Sequence, residues 1–199
     1  MSTSFYVVYE DLPSLAVIEK VLQQHPRNFS IVGKFCKDGS GYIKKNINGF
    51  NQSAKGFPFL IITDLDTIEC VPILINSWFS TQIHPNLLFC VAIREIEAWI
   101  LSDRRSFSSY FGVNINKIPL ETELLSDPKQ TVLNLIRKSS KVRIKNDMLP
   151  VGKSKVGRLY NDRLVEFILK EWNIHNAKNN SMSLYRFYQK LSNYNFVKS

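Results

Sequence analysis

Three short apolar runs in this chain each give way to carboxylates. Phe5-Tyr-Val-Val-Tyr9 is followed by Glu10 and Asp11, the run at 57–63 by Asp64 and Asp66, and the run at 87–93 by Glu95 and Glu97. If the runs are neighbouring strands of an open parallel sheet, their C-terminal ends share the edge where sites form in such sheets. Several carboxylates on one edge repel one another unless a cation neutralises them. Oxygen donors without nearby His or Cys suit Mg²⁺ or Mn²⁺ better than Zn²⁺. His25, His84 and His175 are far apart, and two of them precede prolines, which suggests turn or surface roles. The competing reading is that the acids cap the helices that follow, since acids favour first helical turns.

Spacing refines the set. Asp64 and Asp66 stand two apart, so an extended strand end points both to one side. Glu95 and Glu97 do the same if the fourth strand continues. If a helix begins at Arg94 they diverge by about 200° and only one reaches the site. Glu97, which leads into Ala98-Trp99-Ile100-Leu101, is the preferred member.

The elements that must position these acids follow from periodicity. Strands are expected at 5–9, 29–36, 57–63 and 87–93. Leu15, Ile18 and Leu22 with Val17 and Val21 form a helical stripe over 13–23. The Gly-, Asn- and Lys-rich stretch 37–55 reads as a loop holding one short helix at 41–47. A helix is expected at 69–80. Strands alternating with helices imply an α/β fold with a mostly parallel four-stranded sheet. Beyond residue 100, helices are expected at 104–111, 129–138, 162–172 and 183–192, with a polar, basic stretch at 139–163. The length suits one domain, a core over 1–135 and a helical, basic extension over 136–199 packed on it.

The 199 residues carry 26 Lys and Arg against 17 Asp and Glu, a net +9. Residues 1–100 hold 8 cations against 9 acids, and residues 101–199 hold 18 against 8, so the second half carries the whole excess. Such asymmetry points to a polyanionic partner, nucleic acid or a membrane surface, or else to a solubilising surface. Residues 137–163 concentrate nine cations, among them Arg137, Lys141, Arg143, Lys145, Lys153, Lys155 and Arg158, against Asp147 and Asp162. Gly152 and Gly157 allow close backbone approach there, and Tyr160 and Trp172 are candidates to stack on bases. Gly152-Lys153-Ser154 ends like a P-loop, but Asp147 stands where the first glycine would fall. No apolar run nears the ~18 residues that span a bilayer. The N-terminus lacks the basic n-region of a signal peptide. The three cysteines, Cys36, Cys70 and Cys90, form no C-x-x-C pair and read as reduced core thiols, which points to the cytoplasm.

A strand ending in Glu, a helix, and a strand ending Asp-x-Asp resemble the Toprim fold. The segment Ile93-Arg94-Glu95-Ile96-Glu97-Ala98-Trp99-Ile100-Leu101-Ser102-Asp103-Arg104, with Asp127-Pro128-Lys129, is similar to small Toprim-like proteins of the overcoming-lysogenization-defect type. These belong to bacterial phage-defence and abortive-infection systems and are paired with an ABC-type ATPase. Asp11 stands where Toprim strands often carry glycine after the first Glu. The resemblance implies that Glu10, Asp64 and Asp66 bind divalent metal, and that Glu97, with Glu95 in reserve, completes a second metal position. It implies that Ser14, one turn after Glu10, joins them, and that Lys129, or failing it Lys153, offsets charge on a phosphate. Two Mg²⁺ or Mn²⁺ ions held so would activate a water and steady the leaving oxygen of a phosphodiester.

The expected function is therefore a metal-dependent nuclease acting on DNA or RNA, with an ATPase partner and no membrane. Self-association is left open. The alternatives are a non-catalytic Toprim-like module that binds nucleic acid or docks on the ATPase, and an unrelated α/β domain whose acids only cap helices.

Overall fold

Four apolar runs do become strands, and all of them are parallel. The computed structural model describes residues 3–37 and 39–198, so Asp38, within the expected loop, lies outside the described residues. The chain runs β1 (Thr3–Val8), α1 (Leu12–Gln24), β2 (Phe29–Phe35), α2 (Ser40–Ser53), β3 (Phe59–Asp64), α3 (Val71–Trp78), β4 (Leu87–Ala92), then α4 (Ile96–Ser102) and α5 (Arg104–Phe111). Two 3₁₀ turns lead to α6 (Pro128–Arg137), α7 (Val142–Met148), α8 (Tyr160–Lys170), α9 (Ile174–Ala177) and α10 (Met182–Asn193).

The sheet order is β2-β1-β3-β4. Strand residues alternate between two apolar layers. Phe5, Val7, Leu60, Ile62, Leu88 and Cys90 face α1, α4, α8 and α10, whereas Val8, Phe59, Ile61, Phe89 and Val91 face α2 and α3. Burial on both faces is why β3 and β4 read as unbroken apolar runs. From β1 the chain goes first to one neighbour, β2, and then returns to the other side for β3. The order therefore reverses between β1 and β3, and the crevice outside their C-terminal ends is where open α/β sheets place ligands.

The C-terminal helices share the core with the sheet. α8 packs along α1, and α10 lies along β4. Three cations from other elements bind the free carbonyls of helix C-termini, where positive charge is favoured. Lys20 donates to Leu169 O, Arg27 to the carbonyls of Leu191, Ser192 and Tyr194, and Lys141 to those of Ser109 and Tyr110.

Several sequence expectations are corrected. The stretch 37–55 holds a 14-residue helix rather than a short one. Ile43, Ile47 and Asn51 bury one side of it at i, i+4, i+8 spacing, a period that the polar composition conceals. α7 lies inside the stretch read as irregular and is anchored by buried Ile144 and Met148. Tyr160 and Trp172 are 1% and 0% exposed, so neither can stack on a base. Of the cysteines only Cys90 is a core thiol, because Cys36 is exposed and Cys70 half-buried. His25 stands in the turn that ends α1, one of the two roles expected of it, but it is buried there and its ring bonds Ser192 Oγ. Among the described residues no helix is long and apolar enough to cross a membrane.

Candidate carboxylate centre at the strand ends

Glu10 and Asp64 flank the crevice between β1 and β3. Glu10 reaches across it, and its Oε1 accepts from the Thr63 hydroxyl and from the Asp64 backbone N–H at 2.9 Å. Thr63 is buried between the sheet layers, so this acid is pinned by groups the strand itself supplies. Asp64 is the last residue of β3. Its Oδ1 is buried and has no hydrogen-bond partner.

The chain then leaves the strand. Asp66 has φ 50° and Arg94, just after β4, has φ 64°. These left-handed conformations are uncommon for residues with a side chain. They are tied together: the Asp66 N–H donates to Arg94 O at 2.8 Å, and the Arg94 guanidinium donates back to the carbonyls of Asp66 and Ile68. The turn carries Asp66 out to solvent. The two-residue spacing is thus not that of an extended strand, because β3 ends at Asp64, yet the exposed Asp66 stays near enough for its charge to bear on Glu10 and Asp64.

Glu95 and Glu97 part company at the start of α4, where Glu95 is the residue before the helix and Glu97 sits in its first turn. Glu95 Oε2 accepts from the Lys129 backbone N–H at 2.8 Å, so this acid caps α6. Glu97 is 1% exposed. Its Oε1 takes the Tyr160 hydroxyl at 3.2 Å and lies 3.5 Å from Lys129 Nζ. Its Oε2 is buried and has no partner. Ser14 is buried, and its hydroxyl donates to Asp11 Oδ1 at 2.6 Å as part of the cap of α1.

The electrostatics follow from this crowding. Burial, then the charges of Glu10 and Glu97, push the Asp64 carboxyl well above its ordinary value. Burial also raises Glu10, against the hydrogen bonds from Thr63 and Asp64. Glu97 is pushed up to about 7, mainly by burial and against the pull of Lys129. Burial alone would lower the Lys129 ammonium, but Glu97, Glu95 and Asp64 outweigh it and hold the group charged. Lys153, by contrast, is exposed in the loop after α7.

Beside Lys129 a cavity of about 430 Å³ opens, with Leu133 and Val156 as its apolar wall and two acids, Glu95 and Asp127, facing two cations, Lys129 and Lys155, around it. Lys153, Lys155 and Arg158 are exposed on the loop that borders it, and Arg137 and Arg143 are exposed on α6 and α7. Arg143 lies 3.9 Å from Asp147, and Arg137 bonds Asn134. Lys145 is half-buried, and Lys141 is taken up by the C-terminus of α5.

Sequence reasoning does not find Tyr160 or Thr63 in this centre, and it names Asp11 only as a strand-end acid, not as the cap of α1 that takes the Ser14 hydroxyl. Tyr160 lies on the same apolar stripe as Leu164, Phe167 and Ile168, and that stripe is the one signal that it is buried. Among the described residues, no three Asp, Glu, His or Cys side chains form a ready-made cation cage. What the donors offer is an all-oxygen set, with one unpartnered buried oxygen each on Asp64 and Glu97. That is the donor chemistry a hard divalent cation takes up. Compared with models of known families, with curated proteins and with solved structures, the chain matches none of them.

Proposed function

We propose that this protein is a divalent-metal-dependent nuclease that cleaves phosphodiester bonds of DNA or RNA. One observation carries the reading: two buried carboxylate oxygens without partners, one on Asp64 at the end of β3 and one on Glu97 in the first turn of α4, whose charge bears on Asp64. A buried acceptor left unsatisfied costs about 1–3 kcal/mol, which is a reason to expect a ligand in the complete site. The all-parallel four-stranded sheet is what the Toprim resemblance implies, and it supports carrying that resemblance onto Glu10, Asp64, Asp66 and Glu97.

In this reading Glu10, Asp64 and Glu97 hold Mg²⁺ or Mn²⁺, with Asp66 at the solvent side and Glu95 and Ser14 supporting neighbouring caps. When bound, the metal supplies Lewis acidity at the phosphate and lowers the pKa of a bound water. The chain's own groups do the rest. Lys129 stands at the boundary between the acids and the open cavity and offsets charge that builds on phosphoryl oxygens. Lys153, Lys155, Arg158, Arg143 and Arg137 attract the backbone without regard to sequence, and Lys145 contributes through its exposed part. The resemblance brings an ABC-type ATPase partner, a cytoplasmic location and a role in anti-phage defence into the same proposal.

The test is cleavage of single- and double-stranded DNA and RNA with Mg²⁺ or Mn²⁺, in parallel with calorimetric Mn²⁺ titration. Wild type is expected to bind metal and cut at least one substrate, and Glu10→Ala and Asp64→Ala to do neither. Equal cleavage by wild type and both variants refutes the assignment. Nucleic-acid binding with no metal uptake would instead favour the non-catalytic module.

A further inference from the structure

We infer that Tyr160 is a positioning residue of the carboxylate centre: with Lys129 it occupies one oxygen of Glu97 and so sets the other, Oε2, as the free donor. The inference rests on the cation-binding reading of the acids given above.

Both groups converge on the same atom. The Tyr160 hydroxyl lies 3.2 Å and Lys129 Nζ 3.5 Å from Glu97 Oε1, while Oε2 is buried without a partner. A glutamate side chain has three rotatable bonds, and burial alone does not select which oxygen faces a ligand. Two donors on one oxygen do select it. They also differ in kind. Lys129 neutralises charge, whereas the neutral phenol orients the carboxylate and leaves its charge for a cation.

Tyr160 is itself held firmly. It opens α8, and Leu164, Phe167 and Ile168 below it are all 0% exposed. The turn before it is clamped to α7: the Gly157 N–H donates to Met148 O at 2.8 Å, and a Cβ at Gly157 would stand 2.4 Å from the backbone of Asp147 and Met148. Lys129 is fixed from the other side, because Glu95 caps the first turn of α6 through the Lys129 N–H. The two donors to Glu97 thus come from separate elements, each with its own anchor. Groups that orient a metal ligand in this way are typically worth 10–100-fold in metal affinity.

The experiment uses the full chain. Tyr160→Phe keeps the ring and removes only the hydroxyl, and Mn²⁺ affinity is measured by calorimetry and by the electron paramagnetic resonance of free Mn²⁺. Affinity is expected to fall by about 10-fold or more. Phe167→Leu, in the same helix and core, serves as a control for general loosening. It is expected to lower the melting temperature while leaving Mn²⁺ affinity at the wild-type value. Wild-type affinity in Tyr160→Phe overturns the inference. So does a loss in Phe167→Leu as large as in Tyr160→Phe, which would make the tyrosine merely structural. Asp64→Asn separates the two layers: if it abolishes Mn²⁺ binding while Tyr160→Phe keeps wild-type affinity, only the role of Tyr160 fails. If wild type and Asp64→Asn behave alike, the cation reading fails and the inference with it.

Discussion

Replacing Asp64 by Asn should stabilise the metal-free protein and remove its response to metal. Asp64 Oδ1 is buried with no partner, and the charges of Glu10 and Glu97 bear on it. An unsatisfied buried acceptor costs about 1–3 kcal/mol. The amide carries no charge, and its NH₂ can donate to either neighbouring carboxylate. For a domain of this size about 1 kcal/mol moves the melting temperature by roughly 2–4 °C. Asp64→Asn in EDTA should therefore melt roughly 2–12 °C above wild type. Metal reverses the order. An ion that binds only the folded state, at 100 times its Kd, adds about 2.7 kcal/mol. Wild type should then gain roughly 5–11 °C in Mn²⁺, while Asp64→Asn stays where it was. The assay is a pair of circular-dichroism melts for each protein, one in EDTA and one in saturating Mn²⁺. A variant that melts below wild type in EDTA, or one that keeps the Mn²⁺ shift, refutes the reasoning.

Other outcomes follow from the same geometry. Glu97 has a carboxyl raised from 4.5 to about 7, so its contribution to stability is fully present below about 4.5 and lost as pH rises towards 7. In EDTA, denaturant melts should show a decline of about 3 kcal/mol across that window, and Glu97→Gln should flatten it. Lys141→Met should lower the melting temperature, because its ammonium binds the carbonyls of Ser109 and Tyr110, yet leave nucleic-acid affinity unchanged in a fluorescence titration. Lys155→Ala and Arg158→Ala should each weaken binding and reduce the salt slope by about 1. Gly157→Ala should destabilise by about 2 kcal/mol or more, read from urea denaturation, since backbone and not a yielding side chain fills the space.

How much of this was legible varies by element. β3 and β4 are readable because burial on both faces leaves no polar interruption. Acids at strand ends are readable too, since the apolar run stops where the sheet stops. α2 is harder, because Asn, Lys and Gly on its exposed side swamp the Ile43–Ile47 stripe. The turn that carries Asp66 out to solvent depends on a left-handed residue that no local preference requires. It is set by the hydrogen bonds that join Asp66 to Arg94, 28 residues away. Tyr160 stands 63 residues from Glu97, and only tertiary packing brings the phenol to the acid. Net charge was misleading in one respect: Lys20, Arg27 and Lys141 serve helix ends, so a count of cations overstates what a polyanion meets.

The distance along the chain between Glu97 and Tyr160 also has a meaning in time. Polypeptides are made at about 5–20 residues per second, so those 63 residues separate the two groups by roughly 3–13 s of synthesis. During that interval the nascent chain already carries its four strands and all their acids. It lacks the phenol, and it lacks α8, which covers α1. The hydrogen bond between Tyr160 and Glu97 thus waits for one of the last helices to emerge, and the order of translation sets a delay between making the acids and completing their packing.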